Sequence, residues 1–311
     1  MMQKTQSVMR AMLLATASLL AAIGFRPADE SHDAVNFSEN PRDSTVQEYA
    51  RWMSCVSNNT LLSRVSLPGT HDSCALHNGA SFGFAKCQSW KLADQLKAGI
   101  RFIDIRCRHI NDQLLIYHGI IDQKITFREV LETCRDFLRD HPSECIVMSV
   151  KEESTATGNT RRFDESFAVE ANGHGKLLHI SPVVPKLNSV RGRIVLVDRV
   201  GKLGGIPWKV MLKQDHYKAS LDTKANLIRG HFTKAARSTD QSWYINFCSG
   251  TVPKSFITPR QYALATNRVA LSFLQQQSVA NRPIYVGTVM LDFPGEELIE
   301  RIVHTNFARS E

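Results

Sequence analysis

The sequence has no pair of cysteines at CxxC spacing. Its seven cysteines, Cys55, Cys74, Cys87, Cys107, Cys134, Cys145 and Cys248, stand singly, which argues against a zinc site. No run of lysines and arginines is interleaved with aromatics, so the footprint of a nucleic-acid partner is missing. No apolar run reaches the roughly twenty residues a helix needs to cross a bilayer. There is no internal repeat, low-complexity tract or linker after residue 45, and a second domain has no support. Acidic residues are in deficit, 30 against 38 basic ones, for a formal charge of +8. A basic surface without a nucleic-acid footprint suits anionic lipid headgroups.

What is present is ordinary globular composition, 43% hydrophobic and 22% charged over 311 residues, a length that barrels of repeated strand and helix units reach as one domain. Lys4 and Arg10 precede or open an Ala- and Leu-rich stretch from Ala11 to Phe25, the pattern of a secretory leader over residues 1–25, with Ala21, Ala22 and Gly24 as candidate cleavage-site residues. Residues 26–44 read as a polar N-terminal segment, and 45–311 as the catalytic domain of a secreted, extracellular protein. Export permits disulfides, and Cys74 with Cys87 is the first candidate pair; buried thiols acting as apolar filler are the alternative.

Short β-prone runs fall at 61–67, 100–105, 114–117, 145–150, 193–197 and 284–291, most of them continuously apolar, as strands buried on both faces of a parallel sheet are. Helical patterns lie between them. Thr126-Phe127-Arg128-Glu129 is a capping box for a helix reaching about Asp140 before Pro142, and Thr258-Pro259-Arg260-Gln261 repeats the logic for a helix to Gln277. A shorter helix from Leu92 to Lys97 ends at Ala98-Gly99. This alternation predicts an α/β fold: an irregular, distorted TIM-type β/α barrel in a single domain.

Polar groups close each strand-like run: Pro68-Gly69-Thr70-His71-Asp72, Asp104-Ile105-Arg106, Tyr117-His118-Gly119, Val150-Lys151-Glu152, Val197-Asp198-Arg199 and Leu291-Asp292. Alone, each would read as a solvated loop or an ion pair. In a β/α barrel all such ends converge on one mouth, where active sites are built.

The segment Ser66-Leu67-Pro68-Gly69-Thr70-His71-Asp72-Ser73 resembles the opening motif of the phosphatidylinositol-specific phospholipase C X-domain family, and the later strand ends follow in the family's order over nearly all of residues 45–300. Asp104-Ile105-Arg106 and His118-Gly119 resemble its next catalytic segments, and Gly287 to Asp292 its last strand. Spacing resembles the small bacterial, metal-independent form. The resemblance implies cleavage of phosphatidylinositol to diacylglycerol and 1,2-cyclic inositol phosphate. It implies His71 as the base on the inositol 2-hydroxyl, held by Asp292. His118, paired with Asp72, is implied as the acid, and Arg106 as the charge on the phosphoryl group. It further implies Lys151, Arg199, Asp215 and Tyr217 as the inositol-binding set. Arg106 stands where calcium-dependent relatives place a ligand, so neither a metal nor another cofactor is expected.

The expected partner is membrane phosphatidylinositol, met peripherally by a monomer; glycosylated inositol anchors remain open as substrates. Phe82, Phe84, Trp243 and Tyr244 are candidates for an apolar rim, with core packing as the alternative. Two rival functions stay in view. One is a metal-dependent glycerophosphodiesterase or sphingomyelinase-D-like barrel, which needs clustered acidic ligands. The other is a lipid-binding barrel without catalysis, against which the intact set His71, Asp72, Arg106, His118 and Asp292 argues.

Overall fold

The computed structural model describes residues 37–38, 49–277 and 283–307; the expected leader, 1–25, lies outside them. Strands β1 (Leu67–Thr70), β2 (Phe102–Ile110), β5 (Ile146–Glu152), β7 (Ile194–Asp198), β9 (Leu212–Gln214), β10 (Tyr244–Phe247) and β11 (Thr288–Leu291) run parallel, with the two-residue β6 (Leu178–His179) at one end. Their order is β6-β7-β5-β2-β1-β11-β10-β9, a sheet curled into a distorted barrel. Among the described residues β6 and β9 do not pair, which leaves a seam. The short β8 (Ile206–Pro207) pairs with β7 above β6. The expected fold class holds.

The central strands form because they can be buried on both faces. Ile146-Val147-Met148-Ser149-Val150 and Ile194-Val195-Leu196-Val197 are wholly buried between barrel interior and outer helices, which burial of about 1.5–3 kcal/mol per large aliphatic side chain rewards. Where β1 meets its neighbours there is no room for a side chain. A Cβ on Gly69 would lie 2.8 Å from Met290 Sδ and 3.0 Å from Phe102 Cβ.

Helices α1 (Leu92–Lys97), α2 (Phe127–Asp140), α3 (Phe163–Gly173), α4 (Leu221–Arg237), α5 (Pro259–Gln277) and α6 (Glu296–His304) pack outside the sheet. The capping box of α2 is formed, with Glu129 N donating to Thr126 Oγ1 at 3.2 Å and Thr126 N donating to Glu129 Oε2 at 2.8 Å. Thr258 N donates to Gln261 Oε1 at 2.9 Å at the start of α5. Ile228 and Phe232 of α4, Ala270 and Leu274 of α5 and Leu298 and Ile302 of α6 form one apolar cluster against β11.

Two expected strands begin late. Residues 61–67 hold a helical turn, Leu62–Arg64, and the strand starts at Leu67; the run 284–291 pairs only from Thr288. The run 114–117 belongs to β3 (Gln113–His118), which returns antiparallel along an overlong β2 and pairs with β4 (Ile121–Thr126). Below the barrel Arg101 and Glu144 form a fully buried ion pair at 2.7 Å. Arg101 also donates to the carbonyls of Leu96, Ile100 and Ala50, and Glu144 accepts from Met53 N, so the pair ties residues 50–53 to the strand ends.

Candidate active site

Strand register explains which side chains meet. Thr70 of β1 lies opposite Leu291 of β11, so the next residues, His71 and Asp292, leave the sheet side by side. His71 Nδ1 is 2.9 Å from Asp292 Oδ1. One strand away, β2 and β5 set Asp104 opposite Ser149 and Arg106 opposite Lys151, and β7 sets Asp198 opposite Val150. Asp72 follows His71 with φ of 45°, a left-handed conformation that costs a non-glycine residue of order 1–3 kcal/mol and clusters at functional sites. That turn puts its fully buried carboxylate beside His118.

Arg106 is the junction. Its Nη2 is 2.7 Å from His71 Nε2, its Nη1 3.4 Å from Asp72 Oδ2, and its Nε and Nη2 donate to Asp104 Oδ2 at 3.2 and 3.1 Å. His118, from the end of β3, has Nδ1 3.0 Å from Ala85 O and 3.3 Å from Asp72 Oδ2. The two imidazole rings stand perpendicular with centroids 6.4 Å apart, both partly open to solvent. Each histidine thus has a buried carboxylate of its own, and one guanidinium sits between them.

The electrostatics follow from burial against charge. Burial pulls the His71 pKa down, but Asp292 outweighs it, against the opposition of Arg106, and the pKa lies above the ordinary 6.5. Burial raises the Asp72 pKa despite Arg106 and His118. Burial would raise Asp104 as well, yet Arg106 and Arg199 override it and hold that carboxyl far below the carboxylate range. Burial opposes the charge on Arg106, and Asp104 and Asp72 more than restore it. The pocket therefore keeps one permanent cation facing a titrating histidine.

The remaining expected residues divide. Arg199 joins the cluster, donating to Asp104 Oδ1 at 2.6 Å with its guanidinium 4.4 Å from the Trp208 ring. Lys151 donates to Glu153 Oε2 at 2.6 Å, and Glu153 Oε1 accepts from Gly119 N at 3.0 Å beside His118. Asp215 and Tyr217 lie exposed on the loop after β9, without a hydrogen bond to this cluster. Phe82 is 93% exposed, but Phe84 is half-buried. Trp243 is no rim residue: it is buried at the foot of β10 and donates Nε1 to Thr288 Oγ1 at 2.9 Å, and Tyr244 begins the strand itself. Cys74 and Cys87 are both free thiols, so the expected bridge is absent.

Sequence reasoning missed Asp104 as the hub of the site, together with Ser149, which donates to Asp104 Oδ1 at 3.0 Å, and Glu153 and Trp208. Their position at the mouth ends of β2 and β5 was the available signal for the first two. It also missed the exposed Ile120 and Phe256 on the mouth loops, and Cys87, whose Sγ is 3.6 Å from His118 Nδ1.

A mouth with two carboxylate-backed histidines round a guanidinium, on a distorted parallel barrel, defines a phosphodiester-cleaving barrel protein. Residues 65–200 match the family described as phosphatidylinositol-specific phospholipase C, X domain. Over 320 aligned positions the chain is 28% identical to 1-phosphatidylinositol phosphodiesterase of Listeria monocytogenes, covering 96% of this chain and 97% of that protein. It is 26% identical to the protein of that name from Staphylococcus aureus strain Newman, covering 86% and 98%. The solved phosphatidylinositol-specific phospholipase C from Listeria monocytogenes superposes with a TM-score of 0.73 at 28% identity, covering 83% of this chain and 98% of that one. The pentafluoro-Phe form from Staphylococcus aureus, 24% identical, shares the fold at 0.73 over 85% of this chain and 99% of its own. Over most of its length this chain is thus similar to bacterial phosphatidylinositol-specific phospholipases C, and the X-domain match itself spans residues 65–200.

Proposed function

We propose that the protein is a secreted phosphatidylinositol-specific phospholipase C that needs no metal and cleaves phosphatidylinositol to diacylglycerol and 1,2-cyclic inositol phosphate. The observation that carries this is the pair of perpendicular histidines 6.4 Å apart, each backed by a buried carboxylate, with Arg106 within 2.7 Å of one ring. Phosphodiester cleavage by a neighbouring hydroxyl needs a base, an acid and a fixed cation, and attack from within the substrate gains from proximity.

In this reading the substrate phosphoryl oxygens take over the Arg106 guanidinium, which frees His71 Nε2 to accept the proton of the inositol 2-hydroxyl. Asp292 holds the opposite nitrogen as N–H and stabilises the imidazolium that forms. The 2-oxygen attacks phosphorus, and the bond to the glycerol oxygen breaks. His118, held by Asp72, gives that oxygen its proton. Asp104 never leaves Arg106 and Arg199, so the cation is already aligned when charge builds on the phosphoryl group. Lys151, Arg199, Asp215 and Tyr217 line the inositol side, the last two closing on the ring from the rim.

Membrane contact falls to the mouth loops. Phe82, Ile120 and Phe256 are 93%, 78% and 62% exposed. Their loops touch: a Cβ on Gly83 would lie 3.1 Å from Thr258 Cγ2, and one on Gly79 3.0 Å from Ile121 Cγ2. A contiguous apolar edge around a basic protein suits the surface of an anionic bilayer.

Phosphorus NMR of the early reaction on phosphatidylinositol vesicles with EDTA present tests the reading. Cyclic phosphate appears first and the open monophosphate later, and a 2-O-methyl substrate is not cleaved. Open monophosphate from the first turnover, with cleavage of the methylated analogue, would make water the nucleophile and remove His71 from its role.

A further inference from the structure

Cys87 has no part in the chemistry above, yet it lies between both histidines. Its Sγ, His118 Nδ1 and an Asp72 carboxylate oxygen all lie within 4.8 Å of one another. We infer that Cys87, His118 and Asp72 form a site for a thiophilic divalent cation such as Zn²⁺, and that the bound ion inhibits the enzyme.

The spacing is that of ligands sharing one ion. Bonds of about 2.0 Å to nitrogen and oxygen and about 2.3 Å to sulfur, at tetrahedral angles, put nitrogen and oxygen about 3.3 Å apart and nitrogen and sulfur about 3.5 Å apart. His118 Nδ1 is 3.3 Å from Asp72 Oδ2 and 3.6 Å from Cys87 Sγ. An independent observation points into the same space. Asp72 is fully buried; its Oδ2 has only ion-pair contacts, with Arg106 and His118, and neither carboxylate oxygen has a hydrogen bond, which leaves acceptor capacity that burial penalises. The second grouping, His71, Cys87 and Asp292, is different. There Nδ1 and Oδ1 are already joined by a 2.9 Å hydrogen bond, closer than two ligands of one ion sit.

A thiolate and an imidazole select a soft or borderline cation over calcium or magnesium, which take oxygen ligands. Burial, then Asp292 and Asp72, push the Cys87 thiol well above its ordinary pKa, so the bare sulfur stays protonated. Binding exchanges that proton for the metal: the S–H bond breaks, sulfur bonds zinc, and the proton leaves to buffer. The ion also displaces the Nδ1 contact with Ala85 O. Its charge opposes Arg106, 3.4 Å from Asp72 Oδ2, and the negative charges of Asp72, Asp292 and the new thiolate offset that repulsion. Inhibition rests on the acid role proposed for His118. With zinc on Nδ1 the ring is no longer an imidazolium, and its Nε2 proton is held too tightly to give to the glycerol oxygen. This ion is an inhibitor and no part of the reaction.

The test uses Cd²⁺ as a spectroscopic probe on the full chain carrying Cys55→Ser, which removes the exposed thiol. One equivalent of Cd²⁺ raises ultraviolet thiolate-to-metal absorption, and Cys87→Ala abolishes it. His118→Ala, which keeps the thiol, weakens it by roughly tenfold or more in Cd²⁺ concentration. In parallel, Zn²⁺ inhibits cleavage of phosphatidylinositol vesicles and EDTA reverses this; in Cys87→Ala the half-inhibiting Zn²⁺ concentration rises roughly tenfold or more. Absence of the one-equivalent band, or its survival in Cys87→Ala, overturns the site, and unchanged inhibition in that variant overturns its consequence. A normal band on a protein that cleaves no lipid leaves the site standing and removes the proposed function instead.

Discussion

His71 sits between charges of opposite sign, Asp292 on one ring nitrogen and Arg106 on the other. Because its pKa is raised, His71 as the proposed base is protonated and idle at mildly acidic pH, and kcat/KM should fall as pH drops through a value above 6.5. Asp292→Asn removes the main raising influence and leaves burial and Arg106, both lowering. Its acid limb should therefore move to lower pH along with a lower plateau; a pH profile whose limb stays in place would show that Asp292 does not set it. His71→Ala and His118→Ala should each lose about a hundredfold to ten-thousandfold in turnover with unchanged circular dichroism, and near-parental rates in either would end the mechanism. The residues that touch the substrate in this reading were legible because each closes a strand within a short motif. Glu153, Trp208 and Cys87 were not, because what matters about them is a contact between separate segments, such as the sulfur 3.6 Å from His118. Asp215 and Tyr217 rest on resemblance and exposure at the rim.

Helix α2 and helix α5 could be placed to the residue because their signals are local: a capping threonine with a carboxylate or amide three residues on. Helix α4 could not, since its inward face carries the fully buried Lys224, whose Nζ reaches Gln214 Oε1 at 3.4 Å, and that lysine breaks the apolar stripe a reader looks for. Strands β9 and β10 are three and four residues long, too short for periodicity to speak. The turn at Leu62–Arg64 was misread as strand because apolar residues recur there without a helix-length pattern. At this scale the buried Arg101–Glu144 pair makes the sharpest claim. Glu144→Gln leaves a guanidinium uncompensated below the barrel and should cost about 3–5 kcal/mol in urea unfolding, while the folded enzyme keeps its activity. A change below about 1 kcal/mol would mean that the backbone carbonyls satisfy Arg101 without the carboxylate.

For the molecule as a whole, the apolar mouth loops and the positive charge face the same task. Phe82→Ser and Phe256→Ser should each weaken partitioning to phosphatidylinositol vesicles by roughly tenfold to a hundredfold, the worth of one inserted phenylalanine. Turnover of a short-chain, monomeric substrate should stay the same; sedimentation of the protein with vesicles that is unaltered in the double variant would place the docking face elsewhere. The order of strands carries one more consequence. His71 and Asp292 are 221 positions apart and meet only because β11 slots between β1 and β10. A chain still on the ribosome has made His71 long before Asp292, and closure over that separation is slow to form. An unfinished chain thus has no His71–Asp292 pair, and under the proposed mechanism no lipid is cut until the last strand is in place.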